Sequence, residues 1–431
     1  MESVDGIEQQ QAARNDRGLI TPAKQQTLNT SGFQGRPRSF HSSSKMARVG
    51  SLLVTCQVTL LLVVFLPVSI EATSCFNRKT QNIPADHLFN KKAKPLILGH
   101  RGQPRLFQEN TIEGIKSLVD LGADGFETDI YLTDHGQLVL FHDDNAKALT
   151  GVDKNIWEMT PSEISNLTYK KALVYGKKTY NFSQNLKVAL LEDLLNAVKD
   201  SELFMYLELK PSKVVYANKT RSVDSGREVA KLITKLGLEK KVFIVSFDFL
   251  KSLSAKLENP NLVVGSFYKE QYWQQDSVWY SSLKRQLKES FPGLGTCLDG
   301  LPNDRSLMDF VFEKGSIFKS MNASFVDMQF TVYNNKKFSN NTFKTLRDNY
   351  NEKISFGAWT VYSMKLNSAE TDATEKQVQL LIDNGAERLI TDDVPKLRKK
   401  LSKSSANAQA ESHLLVFSFL AIALCAFNLV L

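Results

Sequence analysis

The chain has 431 residues, of which 42% are hydrophobic, 23% charged and 10% aromatic, with a formal net charge of +8. This globular composition excludes a wholly disordered chain, a collagen or a single long coiled coil. Residues 1–48 hold seven Lys/Arg against four Asp/Glu, which leaves the remainder at +5 with mixed signs and no basic stripe, so no nucleic-acid partner is expected.

Residues 1–45 read as a polar N-terminal extension. Met46-Ala-Arg48, an apolar run through Leu66, Pro67 and the small residues to Ser74 make 46–74 a signal peptide or signal anchor. The body follows over 95–401. Residues 402–413 form a polar spacer, and 414–431 is an uncharged hydrophobic tail. Small residues Ser404-Ser405-Ala406, spacer and tail fit a GPI-attachment signal; a C-terminal membrane helix is the alternative. Both readings predict a secretory-pathway protein, extracellular or at the cell surface, attached to a membrane through a C-terminal anchor at Ser404 or Ser405 or through this tail. Sequons at Asn166, Asn181, Asn218, Asn322 and Asn340 agree. Cys56 and Cys425 lie in the apolar runs. Cys75 and Cys297 are left in the body, where sequence does not fix whether they pair.

Within the body, short apolar runs alternate with helix-period segments. Strands are predicted at Leu96–Gly99, Gly125–Ile130, Leu138–Phe141, Leu203–Leu209, Val242–Ser246, Leu262–Ser266, Ser324–Met328, Ile354–Val361 and Arg388–Ile390. A helix is predicted over Thr111–Leu121, with Ile112, Ile115, Leu118 and Val119 on one face and Asn110 capping it beside Glu113. Another is predicted over Arg227–Leu236, stopped by Gly237. The alternation argues α/β with a mainly parallel sheet, and the strand number favours a closed (β/α)8 barrel with insertions over an open sheet. No nucleotide-binding glycine loop follows the first strand. Residues 150–190 and 268–322 read as insertions.

Titratable residues gather at strand ends, which form the active-site face of such a barrel. His100 and Arg101 end the first strand, a titratable base beside a fixed positive charge. Glu127 and Asp129 are two apart, so both carboxylates project from one face. If the Asp134-His135 region closes a hairpin with paired positions summing to 269, Glu127 faces His142 and Asp129 faces Leu140. Glu208 and Lys210 share the end of a strand above Phe204 and Tyr206. Three oxygen ligands suit a hard divalent cation such as Ca²⁺ or Mg²⁺. Two histidines with a basic pair suit acid–base cleavage of a phosphoester. No Gly-x-Ser-x-Gly elbow points to a serine hydrolase.

The series His100-Arg-Gly, Glu109-Asn-Thr111, Gly122-Ala-Asp-Gly-Phe-Glu-Thr-Asp129, His142-Asp143, Glu208-Leu-Lys210, Trp359-Thr-Val361 and Gly385-Ala-Glu-Arg-Leu-Ile-Thr-Asp392 resembles that of glycerophosphodiester phosphodiesterases. The resemblance runs from about Pro95 to Leu401, in order. The stretch 268–322 matches nothing in it, and the final aspartate is doubled as Asp392-Asp393. It implies a TIM barrel of the PLC-like phosphodiesterase type that hydrolyses small-molecule glycerophosphodiesters to sn-glycerol 3-phosphate and an alcohol. It implies Glu127, Asp129 and Glu208 as metal ligands and His100 and His142 as acid and base, without saying which is which. Arg101 and Lys210 would contact phosphate, Glu109 and Asn110 would sit close by, and Trp359 would face the glycerol or the headgroup. Two alternatives keep the barrel: a lysophospholipase D or sphingomyelinase D-like lipid hydrolase, and a non-catalytic surface binding protein.

Overall fold

The computed structural model describes residues 81–210, 219–269, 284–286, 288–289, 321–334, 354–364 and 373–403. The two terminal apolar runs, both body cysteines, Asn218, Asn340 and most of 268–322 lie outside these residues. Among the described residues no helix is long and apolar enough to cross a membrane.

Eight parallel strands close into a barrel. They are β1 (Leu96–His100), β2 (Gly125–Leu132), β6 (Phe204–Leu209), β7 (Val242–Ser246), β8 (Val263–Tyr268), β9 (Phe325–Gln329), β10 (Ser355–Val361) and β11 (Arg388–Thr391). Each pairs with the next, and β1 pairs with both β2 and β11, so no edge is left open. Helices such as Lys219–Leu236 and Phe249–Glu258 connect them. Four of these strands, β6, β7, β8 and β11, are buried along their whole length, and the others at all but one or two residues, which explains their apolar runs. All nine predicted strands are present, with ends moved by a residue or two.

The ninth, β3 (Leu138–Leu140), pairs antiparallel with β2 and stands beside the barrel. Its register differs from the expected one. Ile130 faces Leu140 and Leu132 faces Leu138, so paired positions sum to 270, not 269. The turn is the reason. Thr133 N–H donates to Gln137 O, and Gly136 N–H to Thr133 O, enclosing three residues. Gly136 takes the left-handed φ of +80° that such a loop demands. The Phe141 N–H donates to the Asp129 carbonyl, so His142 still emerges next to the β2 carboxylates.

The helix after β1 is shorter than expected, Ile112–Lys116, and Val119 is exposed. Thr111 caps it, its hydroxyl accepting from Gly114 N–H at 3.3 Å. Asn110 is not the cap; its side chain is engaged elsewhere, as shown below. The segment read as an insertion at 150–190 holds a helix, Pro161–Asn166, and a hairpin of β4 (Ala172–Tyr175) and β5 (Lys178–Asn181). A second apolar cluster, including Phe141, Trp157, Tyr169 and Met364, holds this lobe against the barrel rim.

The lower barrel encloses a buried charge pair. Arg388 donates from Nη2 to Asp327 Oδ1 at 2.5 Å and from Nε to Asp327 Oδ2 at 3.2 Å. The Tyr206 hydroxyl donates to the same carboxylate at 2.7 Å. Gly357 lies opposite Asp327 in the register, and a Cβ there would fall 2.5 Å from the carboxylate. The rings of Phe89, Phe243 and Phe325 surround the guanidinium at 5.0–5.4 Å.

Phe89 belongs to the helix Leu88–Lys91, which is capped by His87. The His87 Nδ1 accepts from Phe89 N–H at 3.1 Å, and its Nε2 faces the Val242 carbonyl at 3.3 Å. That pattern needs the neutral ring. Burial lowers its pKa to about 4 from an ordinary 6.5. A depressed histidine stabilises the fold above the unfolded pKa, and that stability is lost as pH falls through the folded one. Between pH 6.5 and 4 the protein is therefore expected to lose about 3 kcal/mol through this ring alone. Denaturant titrations of wild type and His87→Asn across that range check this: the variant keeps a cap and should show a flatter acid limb. An unchanged limb would assign the acid loss to other groups.

Candidate active site

The strand register assembles the site. His100 lies beside Glu127 across β1 and β2, and Asp129 beside Glu208 across β2 and β6. Side chains alternate along a strand, so Glu127, Asp129, Glu208 and Lys210 all point into the barrel mouth. One oxygen from each of Glu127, Asp129 and Glu208 lies within 4.8 Å of the others, and all three residues are buried.

Two cations hold this acidic cluster together. The Arg101 Nη1 donates to Glu109 Oε1 at 3.0 Å, and its Nε lies 3.1 Å from Asp129 Oδ2. Lys210 Nζ lies 2.9 Å from Glu208 and 3.3 Å from Asp129. Arg101 adopts a φ of +55°, which turns its own N–H onto Glu127 Oε2 at 3.1 Å. Burial acts to raise Asp129, but Arg101 and Lys210 outweigh it and hold that carboxyl well below the usual range. Glu127 is pushed up by burial and then by Asp129 and Glu208. Glu208 is raised for the same first reason.

The cluster fits a divalent cation. Counting Glu109, four buried carboxylates face only Arg101 and Lys210, so acid outnumbers base here, and Glu127 Oε1 is buried with no hydrogen-bond partner. An all-oxygen donor set of this kind suits a hard ion.

Both histidines stand at this rim, each on a carboxylate. His100 Nδ1 is 2.6 Å from Asp392 Oδ1, and its Nε2 faces Glu127 Oε2 at 3.8 Å. His142 Nδ1 is 2.6 Å from Asp143 Oδ1. Burial works against the Asp392 charge, but His100 and its hydrogen bond outweigh that and lower its pKa. Trp359 is half-buried on the far side, its Nε1 donating to the Asp327 carbonyl at 3.3 Å. Its ring meets Phe247 and Phe267, each at 5.5 Å. The mouth thus has a charged half on β1, β2, β6 and the loop after β11, and an aromatic half at the ends of β7, β8 and β10.

All eight residues singled out in the sequence therefore sit at the same end of the barrel. Two more shape it: Asp392, to which the sequence assigns no role, and Asn110, which the resemblance places close by while local spacing reads it as a helix cap. Asp392 shares a face with Arg388 and Ile390, and that alternation was the available signal. Asn110 takes a φ of +58°, which only a few non-glycine residues adopt readily. Its Nδ2 donates to Asp129 Oδ2 at 2.8 Å, while its Oδ1 accepts from Thr128 Oγ1 and Asp129 N–H. It fixes Asp129 from behind.

A sequence model of the glycerophosphoryl diester phosphodiesterase family matches residues 100–396. A glycerophosphodiester phosphodiesterase of Caldanaerobacter subterraneus subsp. tengcongensis is 29% identical over 175 residues, 41% of this chain and 67% of that protein. Glycerophosphodiester phosphodiesterase domain-containing protein 4 of Mus musculus is 40% identical over 79 residues, 18% of this chain and 12% of its own length. A crystal structure from Silicibacter pomeroyi DSS-3, assigned to glycerophosphoryl diester phosphodiesterases, superposes with a TM-score of 0.56 at 17% identity. It covers 74% of this chain and 98% of that one, and shows a shared fold.

Groups that orient a metal ligand are worth about 10–100-fold in affinity. Asn110→Ala is therefore expected to weaken cation binding by that factor while leaving the protein folded. The shift of thermal midpoint against Ca²⁺ or Mg²⁺ concentration measures it; superimposable titrations would show that Asp129 needs no support.

Proposed function

Because the chain belongs to the glycerophosphoryl diester phosphodiesterase family, we propose that it hydrolyses glycerophosphodiesters to sn-glycerol 3-phosphate and an alcohol. The observation that carries this reading is a pair of carboxylate-backed histidines at the rim that also bears a buried three-carboxylate cluster. In this reading Glu127, Asp129 and Glu208 hold Ca²⁺ or Mg²⁺. Such an ion, when bound, neutralises charge on the non-bridging phosphate oxygens.

The chain's own groups account for the rest. Arg101 and Lys210 add positive charge at the phosphate that hydration does not screen, because both are buried. One histidine accepts a proton from the attacking hydroxyl, either water or the substrate's glycerol 2-hydroxyl. The other donates one to the departing alkoxide. If a cyclic phosphate forms first, the two exchange roles when water opens it. Trp359, with Phe247 and Phe267 behind it, supplies an apolar wall for the glycerol or the headgroup.

The purified protein should release glycerol 3-phosphate from glycerophosphocholine in a reaction stopped by EDTA and restored by Ca²⁺ or Mg²⁺. His100→Ala and His142→Ala should each lower kcat by about 10²–10⁴-fold and still fold. Wild-type turnover in both variants would overturn the assignment. Choline release from lysophosphatidylcholine alone would move the function to phospholipid remodelling. Absence of turnover with either substrate and either metal would favour a binding protein.

We also propose a secretory-pathway protein held at the cell surface by its C-terminal region, through a GPI anchor added at Ser404 or Ser405 as 414–431 is removed, with 414–431 kept as a membrane helix as the second reading. The terminal apolar runs support this, as do the sequons, three of which fall on exposed residues, Asn166, Asn181 and Asn322. Expressed in secretory cells, the protein should lose apparent mass on N-glycosidase treatment and leave the membrane on treatment with a phosphatidylinositol-specific phospholipase C. Retention after that treatment would favour a membrane helix, and an unchanged mass would argue against entry into the pathway.

A further inference from the structure

The chain both enters and leaves the barrel at its floor, the end opposite the mouth. All eight strands are parallel, so each starts at the floor and ends at the mouth. Gln81 N–H donates to the Ala323 carbonyl at 3.2 Å, just before β9, and Leu88 N–H to the Lys240 carbonyl at 2.7 Å, just before β7. At the other end of the body, β11 reaches the rim and a helix follows over 394–403. Asp393 starts it there, its Oδ1 accepting from Lys396 N–H at 3.0 Å and its Oδ2 facing Arg105 of the loop after β1 at 3.3 Å. Further along, Arg398 donates from Nη1 to the carbonyl of Gly122, in the turn before β2. Val394 and Leu397 are buried on the helix's inner face. The helix thus descends the outside of the barrel, and Lys403 ends it on the floor side.

Resting on the surface-attachment and phosphodiesterase readings above, we propose that the mouth opens away from the bilayer that holds the protein, so that water-borne diesters reach the site and lysophospholipids of that bilayer do not. Ser404 follows Lys403 directly, so a GPI anchor at Ser404 or Ser405 leaves at most one residue between the helix and the attachment point. A membrane helix at 414–431 would be tethered from the same point. Turning the mouth to the bilayer would send either tether back along the outside of the body. The helix 394–403 carries five cations, Lys396, Arg398, Lys399, Lys400 and Lys403, and no acid, which draws this edge toward lipid phosphates. The lobe at the rim has the opposite character. Its sequons Asn166 and Asn181 are exposed, and hydrated sugars there oppose contact with a bilayer. Asn322 stands on the floor before β9, three strands round the barrel from β1, so a sugar there lifts that side and leaves the helix edge nearest the membrane. The consequence for the substrate is chemical. A lysophospholipid must bring its acyl chain into water to reach a mouth on the far side, whereas a glycerophosphodiester has no such chain.

Energy transfer to the membrane tests the orientation. The full chain is expressed on secretory cells with a fluorescent amino acid in place of Ala93, exposed on the floor, or of Val174, exposed on the lobe. The acceptor is a dye-bearing lipid in the outer leaflet. For a body roughly 50 Å across and a dye pair of similar range, transfer from position 93 should exceed that from position 174 at least about threefold. Equal transfer, or more from position 174, overturns the proposal. No transfer from either position, with the protein in the medium, shows instead that the attachment reading has failed, and the orientation falls with it. Access is tested on the unlabelled protein. The rate on added glycerophosphocholine should be the same before and after release by a phosphatidylinositol-specific phospholipase C, because the mouth meets water in both states. A rate that rises on release would show a mouth covered by the membrane and overturn the proposal. Transfer needs no turnover, so a protein inactive on every diester but showing the floor-side excess would fail the hydrolase reading alone.

Discussion

Three carboxylates within 4.8 Å of one another, cut off from water, are the most unfavourable arrangement in this structure. Taking one such group out of water costs several kcal/mol, and mutual repulsion in a low dielectric adds to it. The arrangement survives because Asp129 touches both Arg101 and Lys210. Those contacts keep Asp129 ionised while Glu127 and Glu208 drift upward. Much of the loop after β1 serves this balance. Arg101 takes a left-handed backbone, Glu109 braces its guanidinium, and Asn110 holds Asp129 from the other side.

The charge balance also shapes the mouth. The carboxylate cluster and its two cations lie on strands that are neighbours around the barrel, β11, β1, β2 and β6, while Phe247, Phe267 and Trp359 gather near the ends of β7, β8 and β10, with Lys269 over the Phe247 ring. A ligand with an ionic centre and a less polar substituent meets a matching wall on each side. The inserted lobe reaches the same rim by two routes. Gln108 donates to the carbonyls of Lys170 and Gln184, and Met364 is buried in the lobe's apolar cluster. The lobe is therefore part of the frame that holds the catalytic loops.

Much of this was legible in the sequence, because the signals are local. Apolar runs located every barrel strand, and the two-residue spacing of Glu127 with Asp129 and of Glu208 with Lys210 put their side chains on one face. What escaped depends on contacts between distant segments. Asn110 beside Thr111 and Glu113 looks like a helix cap, and only the approach of β2 shows that its amide is bound to Asp129. The hairpin register slipped by one because Gly136 adds a third residue to the loop. Asp392 and His100 are 292 positions apart, and no spacing rule links them. The β4–β5 hairpin is short and polar on one side, so its alternation was too brief to stand out.

The missing side chain at Gly357 constrains how this barrel can change over generations. The Asp327 carboxylate fills the space a methyl group would need, Arg388 requires that carboxylate, and three rings are arranged around Arg388. No single replacement at 327, 357 or 388 leaves the other two content: a larger residue at 357 displaces the acid, loss of the acid strands a buried cation, and loss of the cation strands a buried anion. A lineage can leave this arrangement only by altering several codons together or by passing through a weakened intermediate. The lower half of the barrel is in that sense a historical lock, while the exposed loops of the rim, where single changes cost little, remain open to drift.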